Sequence, residues 1–305
     1  RMEITTYTYD ATMQEINRLL LFYPFLEKTT IGNSVTGREI PALKLGSGGR
    51  EVCYNAAFHA NEWITVPILL RFLEEYAEAV AAGEALYGVD ARSLYRQVTL
   101  YVIPIVNPDG VDLVTGAMAD GGFYEQAKGI AAGYPGIPFP DGWKANIAGV
   151  DLNLQFPAGW ELAKEIKYAQ GYRTPAPRDF VGEAPLSAPE SRAVYTFTMA
   201  HDFALILAYH TQGEVIYWKY KDLQPPRSEE IAAHFAAVSG YTMEETPYAS
   251  GNAGYKDWFI LQFDRPGYTI EAGYGENPLP IEDFPEIYRR NTGILLGGMT
   301  EILQN

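Results

Sequence analysis

Residues 51–63 read EVCYNAAFHANEW, a short apolar run that ends in a histidine and, three residues later, a glutamate. The apolar part, Glu51–Phe58, is typical of a buried strand, and the amphipathic segment Glu62–Val80 is typical of a long helix. In open α/β sheets, ligands bind in the crevice outside the carboxyl ends of the strands. Because His59 closes the strand and Glu62 begins the helix, their side chains can converge in such a crevice.

Apolar and amphipathic segments alternate along the rest of the chain and predict further strands and helices. The segments expected to be strands are Glu27–Ser34, Glu39–Leu45, Val98–Val106, Phe203–Tyr209, Glu214–Tyr220 and Tyr268–Glu271. The segments expected to be helices are Asp10–Phe22, Pro189–Met199, Ser228–Ser239 and Ile281–Leu303. Val98–Val106 is apolar enough for a strand buried on both faces, although Pro104 is disfavoured in a central strand.

Strands separated by helices indicate an α/β fold. The first two strands are joined by residues 35–38, which form a hairpin turn and therefore make the sheet mixed rather than purely parallel. We predict a mixed parallel/antiparallel central sheet with helices on both faces. Gly116–Gly149 and Gln170–Pro189 lack periodicity and are expected to be long surface loops. No repeat or linker divides the chain, so residues 1–305 are expected to form one domain.

The composition restricts both the partners and the chemistry of this chain. Its 305 residues include 38 acidic and 23 basic side chains, a net charge of −15. Such an acidic surface repels phosphate backbones and anionic lipid, so nucleic acid and membrane surfaces are not expected as main partners. The sequence contains no apolar run of about 18 residues, which is the length that a transmembrane helix requires, so no such helix is predicted. The single cysteine, Cys53, excludes an internal disulfide and a cysteine-rich metal site.

Four histidines are available for a metal or acid–base centre. His210 ends a predicted strand, as His59 does. His201 and His234 lie at the end and in the middle of predicted helices, where structural roles are expected. Two histidines and a glutamate, with a fourth position open to water, form a common ligand set of catalytic zinc. His59, Glu62 and His210 are therefore candidate metal ligands.

A lone H-x-x-E is weak evidence, because the spacing arises by chance in many chains. His210 strengthens it, because it also ends an apolar strand. Glu271 is a further candidate, because a glutamate at the end of a buried strand is costly unless it is paired, hydrogen-bonded or used in a reaction. A zinc hydrolase needs a base for the attacking water and a cation for the developing oxyanion. Spacing alone leaves Glu271 open as either that base or a salt-bridged strand-end residue.

Five motifs occur in an order found in one family. They are His59-x-x-Glu62, Asn107-Pro108-Asp109-Gly110, Gly149-Val150-Asp151-Leu152-Asn153, His210 and Glu271. They span nearly the whole chain, which resembles the zinc carboxypeptidases related to pancreatic carboxypeptidase A. The resemblance implies an α/β/α sandwich and one Zn²⁺ per chain, held by His59, Glu62 and His210. It also implies that Glu271 is the general base.

The resemblance assigns supporting roles to other residues and breaks at three positions. By that resemblance Asp151 orients a ligating histidine and Tyr248 covers the bound substrate. Where typical members of the family have arginines, this chain has Asn61, Lys144 and Leu154. Lys144 keeps a positive charge for the oxyanion, whereas leucine cannot bind a terminal carboxylate as a guanidinium does.

Three segments, His59–Trp63, Trp143–Asn146 and Asp151–Trp160, resemble one bacterial branch of the family. This branch comprises the γ-D-glutamyl-meso-diaminopimelate peptidases, which cut the stem peptides of peptidoglycan. The substrate-binding residues that the resemblance implies are Asn61, Asn153, Tyr248 and Lys256. Lys256 is expected to meet a carboxylate of the diaminopimelate side chain; the alternative is a solvated lysine on a helix.

Two other functions stay open at this stage. A conventional metallocarboxypeptidase would trim C-terminal residues from peptides, and a binding module would keep the fold without the chemistry. The complete ligand and base set disfavours the binding module. The expected partners are peptidoglycan stem peptides or other small peptides. The resemblance to this branch implies a bacterial location outside the cell, in the wall or in a sporulating cell. Members of the branch often carry upstream wall-binding modules, and such modules are expected here because they fit a chain that starts abruptly at Arg1.

Overall fold

The computed structural model describes residues 4–304. Within that range the strands are β1 (Glu27–Asn33), β2 (Glu39–Leu45), β3 (Arg50–Ala56), β4 (Ala85–Leu86), β5 (Val89–Asp90), β6 (Val98–Ile103), β7 (Phe203–His210), β8 (Val215–Tyr217), β9 (Thr242–Glu244) and β10 (Gly267–Glu271). The α-helices are α1 (Tyr9–Phe22), α2 (Thr65–Ala82), α3 (Ala91–Gln97), α4 (Pro108–Thr115), α5 (Gly121–Ala132), α6 (Trp160–Ala169), α7 (Pro189–Met199), α8 (Ser228–Ser239), α9 (Tyr255–Phe263) and α10 (Phe284–Thr300).

The main sheet contains eight strands in the order β1-β2-β6-β3-β7-β10-β8-β9. β6, β3, β7 and β10 form its parallel centre. The pairs β1–β2, β2–β6 and β8–β10 are antiparallel, and the edge strand β9 pairs parallel with β8. The prediction of a mixed sheet is therefore confirmed. Because the central strands run parallel, the carboxyl ends of β3, β7 and β10 lie at one edge of the sheet.

Helices cover both faces of the sheet, as predicted. Along β7, Leu205 and Leu207 pack into a core with α2, α8 and α10, whereas Ile206 and Ala208 pack into a second core with α7 and α9. Burial on both faces explains why this strand reads as a continuous apolar run. Among residues 4–304, no helix combines the length and the apolar character that crossing a membrane requires.

Several element boundaries differ from the sequence prediction; for example, the strand expected over Glu214–Tyr220 covers only Val215–Tyr217, and two other differences lie near the edge of the sheet where the strands end. β6 ends at Ile103 and not at Val106, because Pro104 has no N–H to donate to a neighbouring strand. α2 begins at Thr65 and not at Glu62. Glu62 instead ends a short 3₁₀ turn, Ala60–Glu62, that begins four residues after the end of β3.

The prediction that Gly116–Gly149 is a loop throughout was wrong, since it contains α5. Of this helix only Ala127 and Ala131 are buried, so its apolar periodicity is too weak to be recognised in the sequence. The short helices α3, α4, α6 and α9 were missed as well. The second irregular stretch is confirmed, because residues 170–188 form neither helix nor strand.

Glu190 is a buried carboxyl group in the first turn of α7. Its Oε1 accepts a hydrogen bond from Asn146 Nδ2 (3.1 Å), and its Oε2 accepts one from the backbone N–H of Val35 (3.3 Å). Burial raises the pKa of Glu190 to about 7, although the hydrogen bond from Asn146 opposes the shift. An acid whose pKa is raised on folding stabilises the protein at low pH and loses that contribution as the pH rises.

We expect the Glu190 carboxyl to make the free energy of unfolding fall by about 3 kcal/mol between pH ~4.5 and pH ~7. Glu190→Gln cannot ionise, so this part of the pH dependence should disappear in the variant. Urea unfolding of both proteins across that range measures the two slopes. Parallel pH profiles would show that Glu190 is not the source of the dependence.

Candidate active site

His59 and Glu62 lie directly beyond the carboxyl end of β3. His59 Nδ1 is 2.9 Å from Glu62 Oε2. The hydroxyl of Thr65 fixes the turn between strand and helix, since it donates to the carbonyl of Glu62 (2.7 Å) and accepts from the N–H of Ala57 (3.1 Å). The two side chains therefore meet on a rigid turn between two buried elements.

His210 ends β7, the strand adjacent to β3, and reaches the same point from the neighbouring strand. Its Nδ1 is 3.0 Å from Glu62 Oε1 and 3.3 Å from His59 Nδ1. The backbone N–H of Thr211 donates to the same Glu62 oxygen (3.1 Å). The potential ligand atoms of His59, Glu62 and His210 all lie within 4.8 Å of one another. The structure thus brings together the three residues that the sequence singled out.

Asp151 holds His59 from the side opposite to Glu62. Its Oδ1 is 2.9 Å from His59 Nε2, and its Oδ2 accepts from the N–H of Asp179 (3.1 Å). When His59 donates Nε2–H to Asp151, its Nδ1 presents a lone pair towards Glu62 and His210. Two imidazole nitrogens and a carboxylate then face one point, and this donor set fits a zinc ion.

The charges of this cluster stabilise one another against the cost of burial. Burial lowers the pKa of His59, but Glu62 and Asp151 outweigh it and raise that pKa to about 10. Burial also disfavours the ionised form of Glu62, yet His59 and Lys144 hold the pKa of Glu62 well below its usual value. The negative charge that favours a proton on His59 equally favours a metal cation beside it.

Glu271 ends β10 and pairs in parallel register with His210. It lines the cavity that contains the three candidate ligands, which we call the inner cavity. Burial raises the pKa of Glu271; the charge of His210 opposes this shift and that of Glu62 adds to it. A carboxylate whose pKa is raised is suited to accepting and returning a proton near neutral pH.

Lys144 lies across the inner cavity on the loop between α5 and α6. Its Nζ is 3.3 Å from Glu62 Oε2. The carbonyl of the same residue accepts a hydrogen bond from the N–H of Ala60 (3.0 Å), within the turn that carries the first two candidate ligands. The loop therefore places a cation beside the candidate metal site.

The Asn-Pro-Asp-Gly motif, residues 107–110, has a positioning role. Asn107 Nδ2 donates to the carbonyls of Phe58 (3.1 Å) and Ala145 (2.9 Å), which precede His59 and follow Lys144. A Cβ at Gly110 would lie 2.6 Å from Asn107 Nδ2, so a larger residue would displace that amide. The motif therefore ties the lysine loop to the segment that joins β3 to His59.

The chain matches the family model described as "Zinc carboxypeptidase" over residues 12–292. It belongs to the zinc carboxypeptidase family. This family member is 47% identical over 294 residues to gamma-D-glutamyl-L-diamino acid endopeptidase 1 of Lysinibacillus sphaericus, a match covering 96% of this chain and 72% of that protein. It is 40% identical over 292 residues to an uncharacterized protein of Bacillus subtilis, covering 95% of this chain and 76% of the other.

A solved structure has the same fold. It is bovine thrombin-activatable fibrinolysis inhibitor in complex with tick carboxypeptidase inhibitor, which matches with a TM-score of 0.72 at 18% identity. The match covers 98% of this chain and 97% of that one. The predicted carboxypeptidase-like sandwich is thereby confirmed, and the family makes this chain a metallopeptidase.

The four residues expected to bind substrate lie in different places in this family member. Asn153 and Lys256 line the inner cavity. Asn61 lines a second cavity next to it. Tyr248 lies on a 3₁₀ turn with 73% of its surface exposed and lines a third cavity.

Lys256, on α9, is not a solvated surface lysine, because only 4% of it is exposed. Its Nζ donates to the carbonyl of Lys219 (2.7 Å) and to Thr246 Oγ1 (3.3 Å). It also forms an ion pair with Asp257, at 2.7 Å from Oδ1. The inner cavity therefore includes a buried cation and a buried anion side by side.

Besides Asp257, sequence reasoning missed three further charged residues of the inner cavity: Lys167, Arg178 and Asp179. Lys167 lies on α6, and the other two lie on the irregular loop that follows it. No spacing rule relates them to His59, because the loop reaches the site only through tertiary packing. The one available signal was the loop itself, since long irregular segments in compact domains are often functional.

The two remaining histidines lie outside the inner cavity. His201 Nδ1 is 2.7 Å from the carbonyl of Phe197, and its ring stacks on Phe203. His234 lies 3.3 Å from Glu301. Each has a structural partner, in agreement with the roles expected from the sequence.

We expect Asp151→Asn to weaken zinc binding about 10- to 100-fold. A neutral carboxamide holds His59 less firmly and leaves its Nδ1 less basic. Competition with a chromogenic zinc chelator measures the affinity. Asp222→Asn removes an exposed carboxylate that lines none of the three cavities and is the matched control. Equal zinc affinity in the Asp151 variant and the unmodified protein would contradict the positioning role.

Proposed function

We propose that this chain is a zinc-dependent peptidase, with one zinc ion per chain, that hydrolyses the γ-D-glutamyl-meso-diaminopimelate bond of peptidoglycan stem peptides. The observation that carries the proposal is the inner cavity, where candidate zinc ligands and Glu271 share one space with the Lys256–Asp257 ion pair. The relative named for a γ-D-glutamyl-L-diamino acid bond supports the same substrate.

His59, Glu62 and His210 would hold the zinc ion. When bound, zinc polarises the scissile carbonyl and lowers the pKa of water. Glu271 accepts a proton from the attacking water and returns it to the amine as the carbon–nitrogen bond breaks. Lys144 donates to the carbonyl oxygen as negative charge develops there.

The Lys256–Asp257 pair fits the side chain of diaminopimelate. That side chain ends in an ammonium and a carboxylate, and the pair presents one opposite charge to each. Nζ of Lys256 already contacts three protein groups, so a bound carboxylate would replace one of them. A substrate with L-lysine in place of diaminopimelate brings only the ammonium group. Lys256 would then have no substrate carboxylate to bind.

Leu154 also lines the inner cavity. By the family resemblance, typical members have at this position the arginine that binds a terminal carboxylate. A leucine there supports cleavage within peptides that continue beyond the diaminopimelate residue. We propose that residues 1–305 act as one catalytic domain, with Asn153 contacting the substrate. Such a substrate assigns the activity to a bacterial cell wall or a sporulating cell.

The protein should cleave L-Ala-γ-D-Glu-meso-diaminopimelate peptides between the last two residues, and a chelator should stop the reaction. Mass analysis of the products identifies the bond. Metal analysis of the purified protein should give one zinc ion per chain. Release of C-terminal residues from blocked dipeptides, with no cleavage of the stem peptide, would instead favour a conventional carboxypeptidase.

We expect Glu271→Gln to lower kcat by about 10²- to 10⁴-fold, because glutamine cannot accept the proton from water. Zinc content should not change, since Glu271 is not a proposed ligand. Glu229→Gln, at an exposed position on α8, is the matched control and should keep full activity. A Glu271→Gln protein that retains both zinc and substantial activity would exclude this mechanism.

We expect Lys256→Gln to lower kcat/KM about 10- to 100-fold for a diaminopimelate peptide and much less for the corresponding L-lysine peptide. The amide can still donate to the carbonyl of Lys219, so the fold should be kept. Lys128→Gln, exposed on α5, controls for the loss of a positive charge. Equal losses of kcat/KM on the two substrates would show that Lys256 does not bind the side-chain carboxylate of diaminopimelate.

A further inference from the structure

Arg178 lies on the irregular loop between α6 and α7, at a point where the backbone is held on both sides. The carbonyl of Pro177 accepts a hydrogen bond from the N–H of Lys144 (2.8 Å). On the other side, the N–H of Asp179 donates to Asp151 Oδ2 (3.1 Å). The loop therefore presents Arg178 between the residue proposed for the oxyanion and the residue that orients His59.

The charge of Arg178 is only partly neutralised. Its Nε is 2.9 Å from Asp179 Oδ2, and the other oxygen of Asp179 is 2.9 Å from Lys167 Nζ. The carboxylate of Asp179 thus forms ion pairs with two cations. Among residues 4–304, no other carboxylate forms an ion pair with Lys167 or Arg178. The Arg178 side chain is 41% exposed, and within the described chain its two Nη groups have no hydrogen-bond partner.

A second cavity, the outer cavity, adjoins the inner one and is lined in part by Asn61, Gln212 and Asn277. Lys144 and Arg178 are the only described residues that line both cavities. A ligand that extends from one cavity into the other therefore passes these two cations. The acidic side chains of the outer cavity are exposed, so water and salt screen their charge.

A stem peptide placed as proposed has its diamino side chain in the inner cavity, beside Lys256 and Asp257. Its acyl-side residue then extends past Lys144 towards the outer cavity. A γ-linked glutamyl residue carries a free α-carboxylate there, whereas in an α-linked residue that carboxyl group forms the peptide bond itself. The guanidinium fork of Arg178 matches a carboxylate with two parallel hydrogen bonds.

We propose that Arg178 binds the α-carboxylate of the γ-linked acyl-side residue and so selects γ-linked over α-linked substrates, an inference that rests on the proposed function. Arg178 is then a specificity-determining residue supplied by a loop. It does not replace the arginine that is absent at Leu154, because the two would bind different carboxylates of the substrate.

The test compares two stem peptides that differ only at the D-glutamyl α-carboxyl group, free in one and amidated in the other. The unmodified protein should prefer the free carboxylate. Arg178→Gln should lose about 10- to 100-fold in kcat/KM on that peptide and change little on the amide. Arg173→Gln, exposed on the same loop outside both cavities, should leave both values unchanged.

Equal losses of Arg178→Gln on the two peptides would overturn the inference, because a structural role affects both alike. A loss that instead follows amidation of the C-terminal carboxylate would assign Arg178 to the other end of the substrate and overturn it as well. If the unmodified protein cleaves both peptides equally well, the inference fails and the proposed function stands. If it cleaves neither peptide, the proposed function is wrong, and the inference, which rests on it, is wrong as well.

Discussion

Glu62 has 1% of its surface exposed, yet its carboxylate contacts two imidazoles, an ammonium group and a backbone N–H. A buried carboxylate without such partners would cost several kcal/mol, so its partners must be held in place around it. They come from different parts of the chain: the turn after β3, the end of β7 and the following residue, and the lysine loop. This one charge therefore fixes how three separate elements meet at the edge of the sheet.

Around this cluster, hydrogen bonds from buried side chains connect the loops that form the site. Asn107 joins the segment between β3 and His59 to the loop that carries Lys144. Asp151 joins His59 to the Arg178 loop through its two oxygens. Because each connection uses a buried side chain, the cavities are bounded by loops that have little freedom to shift.

The net charge of −15 contrasts with the local charge distribution at the site. Lys144, Lys167, Arg178 and Lys256 all line the inner cavity, and each is paired with an acidic group of the protein. The proposed anionic substrate would thus meet individual, positioned cations rather than an overall positive field. This favours discrimination between carboxylates over general attraction of anions.

The central strands and the residues that end them could be predicted from the sequence, because a buried strand requires a continuous apolar run and a polar residue that ends it stands out. His59, His210 and Glu271 were recognised in this way, and parallel pairing brings the ends of such strands to one edge. α5 could not be predicted, since alanines supply its only buried contacts.

The tertiary structure alone decided the burial of Lys256, the exposure of Tyr248 and the presence of Arg178 in the cavity wall. These depend on how long loops pack against distant elements, and such contacts leave no periodic pattern in the chain.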